Sequence, residues 1–292
     1  MRSFLRFMLS LILLGIILYA VNDRYNLAAW LMVSGSTNQA ENEQTFVSEI
    51  RVAMLNGLPG TQVKYVGKVE DMKWFTEDAI DMVYNMDDPE TSSDYDYLRY
   101  KTNSIYAHIV GFGNALTVTY EFEYNETADE TRQVDETIKR LLAKWKIEEL
   151  SDYDKIKKIH DYIIENASYD TNTEQYSAYD NLIGKSSTCQ GYMSVAYKMF
   201  TQAGISSRII TGTGNKDSHG WNIVKLDGKW YNIDCTWDDP LTIDGKHIST
   251  YDYFLKSDED FKGHTRDTEF STAEFYETYT MAEVSYQVTA QR

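Results

Sequence analysis

The stretch His219–Trp237, HGWNIVKLDGKWYNIDCTW, reads as a β-hairpin. Asp227-Gly228 is a two-residue turn signal, because a type I′ turn needs positive φ at both central residues. With those two at the tip, Leu226 pairs with Lys229, and outward along the ladder Trp221 faces Asp234 and His219 faces Thr236. Opposed residues share a face and successive residues alternate. His219, Trp221, Ile223, Asp234 and Thr236 therefore lie on one side, with Cys235 on the other. His219 and Asp234 become diagonal neighbours, roughly 7–8 Å apart at the backbone, a gap long side chains span. A one-residue slip would undo this.

Upstream, Ser187-Thr188-Cys189-Gln190 fits a capping box, with Ser187 as N-cap and Gln190 reaching back. Apolar residues recur at Met193, Ala196, Met199, Phe200 and Ala203 before Gly204, which predicts a helix with Cys189 in its first turn. Free N–H groups and the helix dipole at that position favour a thiolate and offer donors to an oxyanion. A thiol, an imidazole and a carboxylate are the parts needed for acyl transfer through a thioester. The alternative for the cysteines is a structural Cys189–Cys235 disulfide, which an even cysteine count in an exported chain invites.

These residues carry a family resemblance. The segments KIHDYIIENASYD (Lys158–Asp170), AYDNLIGKSSTCQGYMSVAYKMFTQAGI (Ala178–Ile205) and HGWNIVKLDGKWYNIDCTWDDP (His219–Pro240) resemble the transglutaminase-like superfamily of papain-type thiol enzymes. More narrowly, the chain is similar to bacterial exported or membrane-anchored members, and YDYFLKSDEDFKGHT (Tyr251–Thr265) resembles the tail of those domains. The resemblance implies Cys189 as nucleophile, His219 as general base and acid, and Asp234 as the group that orients the imidazole. It implies no cofactor and an amide substrate, and it favours hydrolysis over transfer to an amine. Ser187-Thr188 departs from the small apolar residues that often precede the cysteine. The rival reading is a catalytically silent surface-binding or scaffolding module with the same fold.

Composition bounds the partners. The chain has 292 residues, with 28 Lys and Arg against 45 Asp and Glu, a net charge of −17. That argues against nucleic acid or anionic membrane surfaces. The 23 tyrosines lack the basic residues of a base-stacking platform. Arg2 and Arg6 precede an apolar run from Phe7 to Val21, the secretory pattern. The expectation is an N-terminal signal anchor or signal peptide over 1–24, an extracytoplasmic domain, and a protein or peptide substrate such as cell-wall peptide. Secretion is the alternative.

The remaining organisation is a polar linker over 25–44, a small α/β region over 45–126, and the catalytic domain over 127–292, with its motifs in 151–256. Leu116, Val118, Tyr120, Phe122 and Tyr124 alternate with polar residues, which predicts a half-buried strand partnered by Ile105 to Val110. Phe46 to Leu55 and Phe75 to Tyr84 read as helices, as do Ala128 to Trp145 and Tyr153 to Asn166. His160 sits on the apolar stripe of the last helix and reads as a satisfied core histidine. His108 reads as structural, and Asp238-Asp239 as a turn rather than a weak calcium site. His247, His264 and the cysteines lack the spacing of a zinc site, and Thr211-Gly212-Thr213-Gly214 opens no helix, so it is no phosphate loop. The expected fold is α+β, with a Cys189-bearing helix packed on an antiparallel sheet that carries His219 and Asp234.

Overall fold

A computed structural model describes residues 38–68, 72–240 and 250–287. The signal segment (1–24), most of the expected linker and His247 lie outside these residues. Among the described residues no helix is long and apolar enough to cross a membrane. The chain divides into two compact units, the first comprising 38–68, 72–86 and 102–128, the second 87–101, 129–240 and 250–287.

The first unit is a four-stranded sheet in the order β1-β2-β4-β3, formed by β1 (Asn38–Ala40), β2 (Gly60–Val66), β3 (Thr102–Phe112) and β4 (Ala115–Tyr124). On β4, Leu116, Val118, Tyr120 and Phe122 are buried while Glu121 and Glu123 are exposed, the alternation expected of a half-buried strand. Helix α1 (Glu43–Leu55) buries Phe46, Val47, Ile50 and Met54, and Phe46 meets Tyr65, Phe75 and Tyr120. A second helix, α2 (Asp78–Tyr84), follows a 3₁₀ turn over Met72–Phe75, so the helix expected from Phe75 starts later.

The expected linker over 25–44 needs correction at its end. Asn38–Ala40 pair in parallel with Val63–Tyr65, and Asn42 caps α1 by accepting from the Thr45 N–H at 2.9 Å. Backbone pairing at a sheet edge is indifferent to the polar side chains that made this stretch look like linker.

The second unit holds α3 (Tyr95–Lys101), α4 (Ala128–Trp145), α5 (Asp152–Asn166), α6 (Cys189–Gln202) and α7 (Ala273–Thr278). Its main sheet runs β10-β7-β8-β9 and is antiparallel throughout, from β7 (Ser207–Gly214), β8 (Asp217–Leu226), β9 (Lys229–Ile233) and β10 (His264–Arg266). A short parallel pair, β5 (Ser168–Tyr169) and β6 (Ser186–Ser187), precedes α6. The fold class is α+β.

Residues 87–101 group with this second unit and not with the 45–126 region. Asp96 is buried and accepts from Arg208 Nε at 2.7 Å and from the Ile209 N–H at 2.8 Å, and Glu90 pairs with Lys225 at 2.7 Å. A buried carboxylate is stable only where such donors meet it. Those donors lie on β7 and β8.

Helix α6 is buried continuously from Gly191 to Phe200, as befits a central helix. Even Lys198 is buried, its ammonium held by Asp135 at 2.7 Å and Asp94 at 3.5 Å. Val224, Leu226, Ile233 and Cys235 join the α6 cluster, while Ile210, Trp221, Ile223 and Trp230 pack with Phe261, Phe270 and Phe275. The sheet is thus covered on both faces.

Glycines set the closest approaches. A Cβ at Gly212 would stand 2.0 Å from the Thr265 carbonyl oxygen, so β10 lies against β7 only because Gly212 has no side chain. Gly212→Ala is expected to lift β10 from the sheet and cost about 1–3 kcal/mol, as overpacking does. Urea unfolding at neutral pH measures this, and an unchanged midpoint would contradict it.

Candidate active site

The hairpin forms in the expected register, from Leu226–Lys229 at the tip to Asn222–Ile233. Asp227 (φ 51°) and Gly228 (φ 77°) supply the two positive φ values that the turn requires. The ladder ends at Ile233, one residue before Asp234, so Trp221–Asp234 and His219–Thr236 are not paired. Asp234 instead turns out of the strand. Its N–H donates to the Tyr253 carbonyl at 3.1 Å, and its Oδ1 accepts from the N–H groups of Thr236 (2.9 Å) and Trp237 (3.2 Å). This side-chain-to-backbone turn fixes the carboxylate.

Its other oxygen, Oδ2, meets His219 Nε2 at 2.7 Å. The backbone of His219 is held on its far side by Gly212 of β7. Gly220, beside it, lies against Met193 of α6, where a Cβ would come within 2.4 Å of the sulfur. Cys189 opens α6 and is partly exposed. It is among the groups that raise the His219 pKa, after Asp234. With Nε2 committed to Asp234, Nδ1 is the nitrogen left for the thiol.

The electrostatics follow from burial and these contacts. Burial alone would lower the His219 pKa, but the charge and hydrogen bond of Asp234, joined by Cys189, outweigh it and raise it to about 10. Burial would raise Asp234, yet His219 and His264 hold it down to about 2. Burial, followed by the carboxylates of Asp234 and Asp238, pushes the Cys235 thiol well up. Both cysteines are free, so the Cys189–Cys235 disulfide is not formed. Cys235 is buried in the α6 cluster, on the side away from His219.

The capping box is not formed. Thr188, not Ser187, is the N-cap, and its hydroxyl makes no cap bond. Ser187 Oγ accepts from Asn181 Nδ2 and donates to the Thr188 carbonyl, while Gln190 donates to the Tyr100 carbonyl at 2.8 Å. Tertiary partners have taken both side chains. Thr188 Oγ1 is left buried without a hydrogen-bond partner.

His160 is fully buried, with Nε2 3.0 Å from Asp238 Oδ2, as expected of a satisfied core histidine. Asp238-Asp239 lies in the turn that follows β9, as expected. Both residues are buried, Asp238 also accepting from Thr250 Oγ1 and the Tyr253 N–H, and Asp239 from Tyr192 at 2.5 Å.

A cleft of about 300 Å³ opens beside His219, lined by Tyr169, Thr236, Trp237, Asp239 and Pro240. Trp237 stacks on the imidazole at 5.3 Å. The residue that sequence reasoning missed is His264, whose Nε2 lies 3.0 Å from the same Asp234 Oδ2. Its one sequence signal was its place in the tail segment, thirty residues beyond Asp234. Among the described residues, His219, Asp234 and His264 are the one group whose ligand atoms lie close enough, within 4.8 Å, to hold a metal ion. Here the carboxylate oxygen already accepts from both rings, and a metal would have to displace both hydrogen bonds.

The α+β core thus carries a cysteine at the start of α6, a histidine on β8 and an aspartate just beyond the end of β9. Residues 118–235 match the family described as Transglutaminase-like superfamily. Human kyphoscoliosis peptidase is 28% identical over 144 residues, 42% of this chain and 21% of the relative. The mouse kyphoscoliosis peptidase is 28% identical over 127 residues, 36% and 19% respectively. The chain thus matches about a fifth of these relatives' length. A crystal structure of a TGase is 15% identical, covering 80% of this chain and 65% of that one, with a TM-score of 0.34.

The pair has a signature in stability. His219 is raised to about 10 in the fold, against about 6.5 when unfolded. Its contribution is therefore complete below pH 6.5 and lost as pH rises through 10. Asp234, lowered to about 2, contributes above about pH 4 and loses this as pH falls through 2. Asp234→Asn is expected to cost about 3 kcal/mol at pH 7, because it leaves buried donors facing a poorer acceptor. The gap between variant and wild type should narrow towards pH 10 in urea titrations. A gap constant from pH 7 to 10 would contradict the assignment.

Proposed function

We propose that the chain is an extracytoplasmic thiol enzyme that cleaves amide bonds through a Cys189–His219–Asp234 triad. The observation that carries this reading is the contact of Asp234 Oδ2 with His219 Nε2 at 2.7 Å, together with the influence of Cys189 on the same imidazole. The apolar run behind Arg2 and Arg6 supports a place outside the cytoplasm, anchored at the N-terminus. A peptide of the cell surface or wall is the substrate class that this location favours.

In the proposed reaction Cys189 and His219 stand as a thiolate–imidazolium pair. The sulfur attacks the amide carbonyl carbon, and the carbonyl oxygen takes the negative charge beside the N–H groups at the start of α6. In the helix, the Gly191 and Tyr192 N–H groups already bond the Thr188 carbonyl, so the Cys189 N–H ahead of them is the donor assigned to the oxyanion. The C–N bond breaks as His219 passes its proton to the leaving amine, leaving an acyl thioester. Neutral His219 then takes a proton from water, which attacks the thioester and releases the acid and the thiolate. Asp234 keeps Nε2–H in place, so that Nδ1 handles every proton. An amine in place of water would give transfer. The similarity to peptidases, and a cleft open to solvent, favour water.

Iodoacetamide at pH 6, followed by peptide mapping, tests this reading. Cys189 is expected to be modified at least about ten times faster than Cys235, whose buried thiol is held protonated. His219→Ala should slow the Cys189 reaction by a similar factor. Equal, slow modification of both thiols would leave a silent scaffold as the better description.

A further inference from the structure

His264 belongs to the three-residue strand β10, and β7 separates it from β8. Its backbone pairs with Gly214 of β7, while His219 pairs with Gly212. Both positions between the two histidines are therefore glycine. A Cβ at Gly214 would press to 3.1 Å from the His219 ring and 2.7 Å from Trp237. Across this bare stretch the two imidazole rings stand 5.3 Å apart and converge on one oxygen, Asp234 Oδ2.

The ring of His264 has one orientation open to it. Phe261 stacks on it at 3.9 Å, Trp237 lies at 4.1 Å and Trp221 at 5.0 Å. Nδ1 is 3.2 Å from the Lys262 carbonyl and Nε2 is 3.0 Å from the carboxylate, so each nitrogen faces an acceptor. An unprotonated Nε2 would set a lone pair against a carboxylate oxygen, so Nε2 carries a proton and donates it. The charged and titratable groups around the ring are Asp234 and His219 on one side and Tyr253 on another. Arg266 and Asp258 share a small cavity with it and are bonded to each other at 2.8 Å.

We propose that His264 is a positioning residue of this site: it donates to Asp234 Oδ2, fixes the carboxylate, shares its negative charge and so limits how tightly Asp234 holds the His219 imidazolium. The inference rests on the triad reading above. It gives the tail segment a role in the chemistry without contact with substrate. Two donors on one carboxylate oxygen divide its capacity, so removing one strengthens the other.

Iodoacetate is the appropriate probe, because its anion is drawn to a thiolate paired with an imidazolium. In the full chain, its rate with Cys189 should follow a bell in pH, and the alkaline limb reports loss of the His219 proton. His264→Phe keeps a flat ring and removes the donor. It should move that limb to higher pH by roughly half a unit to one unit. His264→Gln restores an N–H donor and should return the limb to near the wild-type position. A purely structural role would lower the rate at every pH and leave the limb in place, and that result overturns the proposal.

Should His264→Phe fail to fold, ¹⁵N-histidine spectra of the wild-type chain decide instead. Two downfield Nε2–H signals are expected, one lost in His219→Ala and the other in His264→Gln; absence of the second overturns the proposal. A wild-type profile without a bell, or one unchanged by His219→Ala, would instead remove the triad reading itself.

Discussion

One carboxylate organises the second unit of this protein. Asp234 is 1% exposed, and burying a charge of that kind costs several kcal/mol unless donors replace water. Four donors do so. The N–H groups of Thr236 and Trp237 take one oxygen, and His219 and His264 take the other. Charge-assisted bonds contribute about 1.5–3 kcal/mol each, so the set offsets the desolvation and makes every member dependent on the others. The end of the β8–β9 ladder, the turn after it and the seat of β10 are all arranged around that one group.

The segment that follows Asp234 is pinned just as firmly. Asp238 is tied to His160 of α5, and Asp239 to Tyr192 of α6. Both helices thus reach through polar contacts to the strip of chain forming one wall of the cleft. Trp237, which directly precedes these anchors, stacks on the His219 ring. Helix α6 contributes at two points, since Cys189 opens it and Tyr192 stands one turn further along. The distance from thiol to cleft wall is therefore set within a single rigid element.

The parts legible in the sequence are those in which local chemistry and the fold agree. Asp227-Gly228 dictates the hairpin register because few residues adopt two consecutive positive φ values, and that register brings His219 within reach of Asp234. The alternation on β4 and the stripe on α5 were readable for the same reason. The capping box was not, because Ser187 and Gln190 found partners in Asn181 and Tyr100, and no local pattern announces a tertiary competitor. Strand β1 was hidden because an edge strand of three polar residues carries no hydrophobic signal. His264 was hidden more deeply. Strand β10 is too short for periodicity to show, and its partner strand lies some fifty residues upstream. The Thr211-Gly212-Thr213-Gly214 stretch, unremarkable as a phosphate loop, turns out to be the gap across which two histidines meet.

That gap also orders events as the chain folds. The hairpin closes across two residues, whereas β10 must find β7 across about fifty, at a larger entropic cost and on a slower timescale. Asp234 is thus first gathered in by its own turn and by His219, and only later capped by the strand that carries His264. The carboxylate keeps a route to water until that last strand docks. Completion of the sheet and full desolvation of Asp234 are then one event, so a chain folded up to β9 would hold the His219 imidazole and the carboxylate together in a site still open to solvent.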